Sequence, residues 1–187
     1  MCTRPVVTAM DFDRTTFKAL LHYVIAKAGD SDGFGAVKLY KVLWFSDARA
    51  YMLWGKPITG ETYIREKHGP MPSHALGIIN ELQTEDAIRV WNDRYYNRQI
   101  RRFKSLQNPD RLTVTKEQRD VVDYWITHID EDHTAGSISE ETHDVAWEIA
   151  ELGEPLPYHA IFATRIRDPK GKELEWAASR AKELGLS

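Results

Sequence analysis

Residues 36–54, AVKLYKVLWFSDARAYMLW, contain neither glycine nor proline and read as a helix that is apolar around most of its circumference. Such a helix has no broad polar face to give to water, so the rest of the chain must supply elements that surround it. On a wheel of about 100° per residue, Lys38, Lys41 and Arg49 gather on one narrow basic edge, the edge expected to be exposed. Asp47 falls on the opposite side, among Tyr40, Leu43, Tyr51 and Trp54. A carboxylate buried there is costly unless it is hydrogen-bonded or paired. Asp47 is therefore expected to act as a structural staple, accepting from backbone N–H groups or a Tyr hydroxyl in the loop that follows. A role as general acid or base finds no second catalytic group fixed relative to it.

Gly55 and Pro57 stop this helix, and residues 59–66, with Thr62, Tyr63 and Ile64, predict a short strand. The HGPMP segment (68–72) is rigid: Pro70 and Pro72 have no amide to donate, and Gly69 is held extended by the proline after it. No regular structure is expected between the two prolines. A preformed loop loses little entropy on binding, which suits recognition, and His68 sits in it either as a structural hydrogen-bonder or as a contact. Ser73 is expected to cap a helix over 74–82.

Upstream, Asp13 is a helix cap, and Phe17, Leu20, Leu21, Val24, Ile25 and Ala28 recur at steps of three and four until GDSDGFG (29–35) breaks the pattern. Residues 87–106 predict a hairpin, with Asn92 and Asp93 between its apolar runs and its register left open. TKEQ (115–118) and SISE (137–140) fit capping boxes. Asp168 and Pro169 announce a last helix over 169–184. With no repeat or linker, residues 1–187 read as one domain of the α+β class, mainly α-helical, a single compact helical domain with a small antiparallel sheet or hairpin.

Six Trp, eight Tyr and six Phe give this chain the large apolar surfaces that a disordered protein lacks. A net charge of -3 argues against a general polyanion binder. Cys2 is the only cysteine, so no disulfide can form within the chain. No apolar run approaches the roughly 20 residues that span a bilayer. A cytoplasmic protein without membrane contact is expected.

The run from Arg89 to Arg111 interleaves Arg94, Arg98, Arg101, Arg102 and Lys104 with Trp91, Tyr95, Tyr96 and Phe103. Single-stranded nucleic-acid surfaces use that composition, and a regulator of that kind is one alternative. A charge-protected hairpin edge, or a docking face for an acidic partner, weighs more because no nucleic-acid-binding motif accompanies it. His128 and His133, with Asp130, Glu131, Asp132 and His143, form the densest histidine cluster. It lacks HExxH spacing, so neither metal nor cofactor is expected. There is no GxSxG elbow and no phosphate-cradling loop, and Cys2 lies too near a terminus to be a good nucleophile.

The strings KLYKVLWFSD (38–47) and GKPITG (55–60), then Tyr63 and HGPMP (68–72), resemble in order and spacing the signature of the Panacea, or SocA-like, antitoxin domain of bacteria and phages. Trp44 stands where that family has Tyr. SEETH (139–143) followed by Trp147 is similar to a shorter, later family segment, so the likeness spans about residues 16–158. It implies a non-enzymatic protein that neutralises a cognate toxin by direct protein–protein contact, within a toxin–antitoxin or phage-defence system. The implied alternative is a proteolytic adaptor that delivers a toxin to ClpXP. Partner-binding candidates are Lys38, Lys41, Arg49, Thr59, Tyr63, His68, Trp91, Tyr96 and Arg101. Asp47, Gly55, Pro57, Gly69, Pro70, Pro72, His143 and Trp147 are expected to keep the motif's shape. The toxin's identity, the stoichiometry and homo-oligomer formation are left open.

Overall fold

Helix α1 (Arg14–Ala28) begins where Asp13 accepts the Thr16 amide at 2.9 Å, and its expected apolar stripe is buried throughout. It packs on α2 (Ala36–Trp54), the apolar helix, which ends at Gly55 in the left-handed conformation, φ 70°. The computed structural model describes residues 11–109, 113–165 and 179–180. Helix α4 (Lys116–Asp132) covers another side of α2, and Phe45 stacks on Trp125 with ring centroids 4.5 Å apart. Thr115 and Gln118 close the expected capping box at its start.

The segment with two prolines is regular after all. Strands β1 (Tyr63–Glu66) and β2 (Gly69–Pro72) form an antiparallel hairpin, and β5 (Pro155–Leu156) pairs with the other side of β1. Ser73 donates its amide to Thr62 O at 2.9 Å, which makes 62/73, 64/71 and 66/69 the hydrogen-bonded pairs. Pro70 and Pro72 therefore occupy the non-bonded positions of an edge strand, where a missing amide costs nothing.

Helix α3 (Ala75–Thr84) starts with His74 at the cap position, because the Ser73 hydroxyl goes to Glu61 instead. Strands β3 (Ile88–Tyr95) and β4 (Arg98–Ser105) form the second hairpin. Its turn is not at Asn92 and Asp93, which pair with Arg101 and Ile100, but at Tyr96 and Asn97. Both turn residues have positive φ, 44° and 63°, the twist a two-residue loop needs to match its strands.

Helix α5 (Ala135–Glu141) opens on a box formed by Thr134 and Ser137, three residues earlier than SISE suggests. Helix α6 (Val145–Ile149) leads through β5 to a 3-10 helix (Tyr158–Arg165). Among the described residues, six helices and two small antiparallel sheets give the mainly helical α+β fold. The helix expected over 169–184 lies outside the described residues apart from 179–180. No described helix is long and apolar enough to cross a membrane.

Candidate functional site

Asp47 has no exposure, and its carboxylate is the hub of the motif. Oδ1 accepts the Thr59 amide at 2.8 Å, while Oδ2 accepts the Thr59 hydroxyl at 2.5 Å and the Tyr63 hydroxyl at 2.9 Å. Burial pushes the carboxyl up to about 6, against the opposing pull of these donors. Trp44 meets Tyr63 edge-on at 5.0 Å and stacks over Tyr158, closing the site with aromatic rings. Pro57, Thr59 and Tyr63 are buried, so they support the hairpin from below instead of facing a partner.

A second buried acid, Glu61, escaped the sequence reading because it sits in a polar stretch. It accepts from the Thr62 amide and the Ser73 hydroxyl, and its Oε1 lies 2.8 Å from His74 Nδ1. Tyr158 donates its hydroxyl to Glu61 O at 2.5 Å, tying the 3-10 helix to the same loop.

The exposed basic edge of α2 does not exist as expected. Lys38 is buried and donates Nζ to Asp130 O at 3.0 Å, satisfying a carbonyl in the last turn of α4. Lys41 is 1% exposed; Nζ donates to Pro70 O at 3.3 Å and forms no ion pair among the described residues. Burial alone pulls its amine down to about 7. Only Arg49 faces solvent. The wheel describes one helix in isolation, whereas later elements of the chain cover this edge.

The two family-like segments meet in space. Trp147 Nε1 donates to Glu66 O at 3.0 Å, and Arg65 donates Nε to Trp147 O at 2.9 Å while its guanidinium lies over the indole. His143 precedes α6, yet its ring stacks on Trp147 with centroids 3.7 Å apart. Burial, then the nearby positive charges of Lys41, His68 and Arg65, lower the His143 imidazole. Gly69 does not take the extended φ expected before a proline: at φ 95° it fits between Lys41 Nζ and Thr142 Oγ1, where a Cβ has no room, so the close approach sets its backbone.

Beside this clamp lies a cleft of about 880 Å³, bounded by the start of α2, the tip of the β3–β4 hairpin, α5 and the His68 turn. Lys38, His68, Tyr96, Arg101 and His143 all line it, although they come from four separate parts of the sequence. Tyr96 stands 85% exposed at the hairpin tip. Trp91 is not in the cleft; Arg89 and Arg102 lie over its ring. Arg98, which the sequence reading did not single out as a contact, also lines the cleft.

In the histidine cluster, His128 Nε2 and His133 Nε2 lie 3.4 Å apart. Among the described residues, no group of three or more His, Cys, Asp or Glu could hold a metal ion.

The site is thus a hairpin clamped by buried staples beside an open cleft rimmed with Tyr, Arg and His. The comparison with known families gives the class of the protein. The model of the antitoxin SocA-like Panacea domain matches residues 39–148, and the chain belongs to this family. No curated protein and no solved structure matches it. Membership carries an antitoxin role in general and, with it, a cognate toxin as partner.

Proposed function

We propose that this chain neutralises a cognate protein toxin by binding it directly and occluding its working surface, without catalysis of its own. One observation supports this reading: Lys38, His68, Tyr96, Arg101 and His143 converge on a single open cleft. Tyr and Arg are the residues that most often anchor protein interfaces. An interface of standard size takes about 800 Å² from each partner, so docking extends from the cleft over the hairpin tip. Lys41, Thr59 and Tyr63 hold the shape of this face from beneath. Co-expression with the product of the adjacent reading frame tests the reading. Growth arrest by that product alone, lifted by this chain and restored by Arg101→Glu, is the expected result; a harmless neighbour, or arrest that persists, overturns it.

A second reading, delivery of the toxin to ClpXP, needs two separate surfaces. A groove of about 710 Å³, lined by Phe45, Arg49, Leu53, Tyr124, Trp125 and Ile161 among others, shares no residue with the cleft. If this reading is right, purified ClpXP degrades the toxin faster only when the chain is present.

A further inference from the structure

Among the described residues, the cleft holds hydrogen-bond donors that have no acceptor. Helix α2 has neither a side-chain cap nor an acidic residue in its first turn. The amides of Ala36, Val37 and Lys38, all cleft-lining residues, thus have no intrahelical acceptor. His143 Nε2 is buried without a partner and belongs to the same lining. On the hairpin, Arg102 and Lys104 are held by Asp32, Asp93 and Asp30. Arg98 and Arg101, which do line the cleft, form no ion pair among the described residues.

Three carboxylates share the lining, and two are engaged. Asp32 faces Arg102 and Asp130 faces Lys38, while Glu140 forms no ion pair among the described residues. Gly35 explains why the donors are gathered. A Cβ at Gly35 would overlap the Ile100 side chain, so the hairpin sits directly against the start of α2, and Arg98 and Arg101 line the same cleft as Ala36, Val37 and Lys38. The positive end of the α2 dipole adds to the same field. A basic segment would bring these donors no side-chain acceptor, and an apolar one would leave them buried and unmet.

We propose that the cleft receives an acidic segment of the partner protein, its carboxylates accepting from the first-turn amides of α2, from Arg98 and Arg101, and from His143, with Tyr96 covering the neighbouring residue. This rests on the antitoxin reading and gives its partner a chemistry. The exposed Tyr96 and Arg98 at the lip favour a protein segment over a small anion, because they extend the contact beyond one carboxylate.

The test titrates the full chain with fluorescein-labelled hexaglutamate, with labelled hexalysine, and with inorganic phosphate as competitor. Anisotropy reads binding and amide NMR shifts read its place. The expected result is binding of hexaglutamate alone, with shifts at Ala36, Val37 and Lys38. Affinity should weaken about tenfold or more in Arg101→Glu and fall as salt rises from about 0.05 to 0.3 M. If Arg101→Glu melts early, the exposed Arg98→Glu carries the comparison. Equal binding of hexalysine, or no shift at the three amides, overturns the proposal. Displacement by phosphate at matched concentration also overturns it, in favour of a small-anion site. Neutralisation in co-expression is scored separately. A chain that lifts toxin arrest but ignores hexaglutamate keeps the antitoxin reading and loses the acidic-segment site. One that binds hexaglutamate and lifts nothing keeps the site and loses the reading.

Discussion

Thr59 holds Asp47 at both carboxylate oxygens, with its amide on Oδ1 at 2.8 Å and its hydroxyl on Oδ2 at 2.5 Å. This double tie, with Tyr63 as a third donor, fixes the loop between α2 and β1 and hence the hairpin that carries His68. Asp47→Ala would strand three buried donors, and the expected loss is roughly 3–5 kcal/mol of folding stability. A denaturant melt checks it; an unchanged midpoint would refute the staple.

Lys41 gives the fold a pH dependence of known sign. Its amine is held down to about 7 by burial, against 10.5 for an ordinary lysine, so the folded state disfavours the charged form. The unfolded chain binds the extra proton between these values. The associated stability is fully present only above pH 10.5 and is lost as pH falls through 7. Stability of the wild type should therefore climb from pH 7 to 10, by at most about 1.4 kcal/mol per pH unit. The range stops at 10 because buried Tyr63, pushed well above its usual value, favours folding less once unfolded tyrosines ionise. Lys41→Met should flatten the profile, and equal slopes in the two proteins would remove Lys41 as its source.

Gly69 is required twice, by φ 95° and by the absence of room for a Cβ. Gly69→Ala should cost about 1–3 kcal/mol from backbone strain alone, with the overlap on Lys41 and Thr142 in addition. Because one of the colliding groups is the end of a flexible side chain, Lys41→Met should recover part of the loss. Purely additive melts for the double variant would show that the collision is not what matters.

The staple was legible because one wheel sufficed: a lone carboxylate among apolar residues has to find donors, and the following loop offered Thr59 and Tyr63. The basic edge misled for the converse reason. Lys38 is covered by Asp130, ninety-two residues away, and a helical wheel carries no information about what packs on it. The prolines misled because the rule against proline in strands lapses at the non-bonded positions of an edge strand. Composition pointed the hairpin turn at Asn92 and Asp93, whereas register and twist place it at Tyr96 and Asn97. The cleft itself had no linear signature, since its walls come from segments scattered between residues 32 and 143.

Replacing Tyr96 tests fold stability and toxin binding separately. It takes the first position of a two-residue hairpin turn with φ 44°, where Asn, Asp or Gly is favoured, and it buries almost nothing, being 85% exposed. A tyrosine there contributes little to the fold and strains the turn, so it is poorly explained by stability. Its ring meets Tyr95 edge-on at 4.7 Å, and that contact is the main one lost on replacement. Tyr96→Asn should leave stability unchanged or raise it by about 0.5–1 kcal/mol. If the hairpin tip is a toxin contact, the same variant should weaken toxin binding by about tenfold or more, since removing an anchoring aromatic typically costs over 1 kcal/mol. Thermal melting and a pull-down titration on one preparation decide between the two roles. Loss of both stability and binding would make Tyr96 a turn residue, and full retention of binding would move the interface away from the tip.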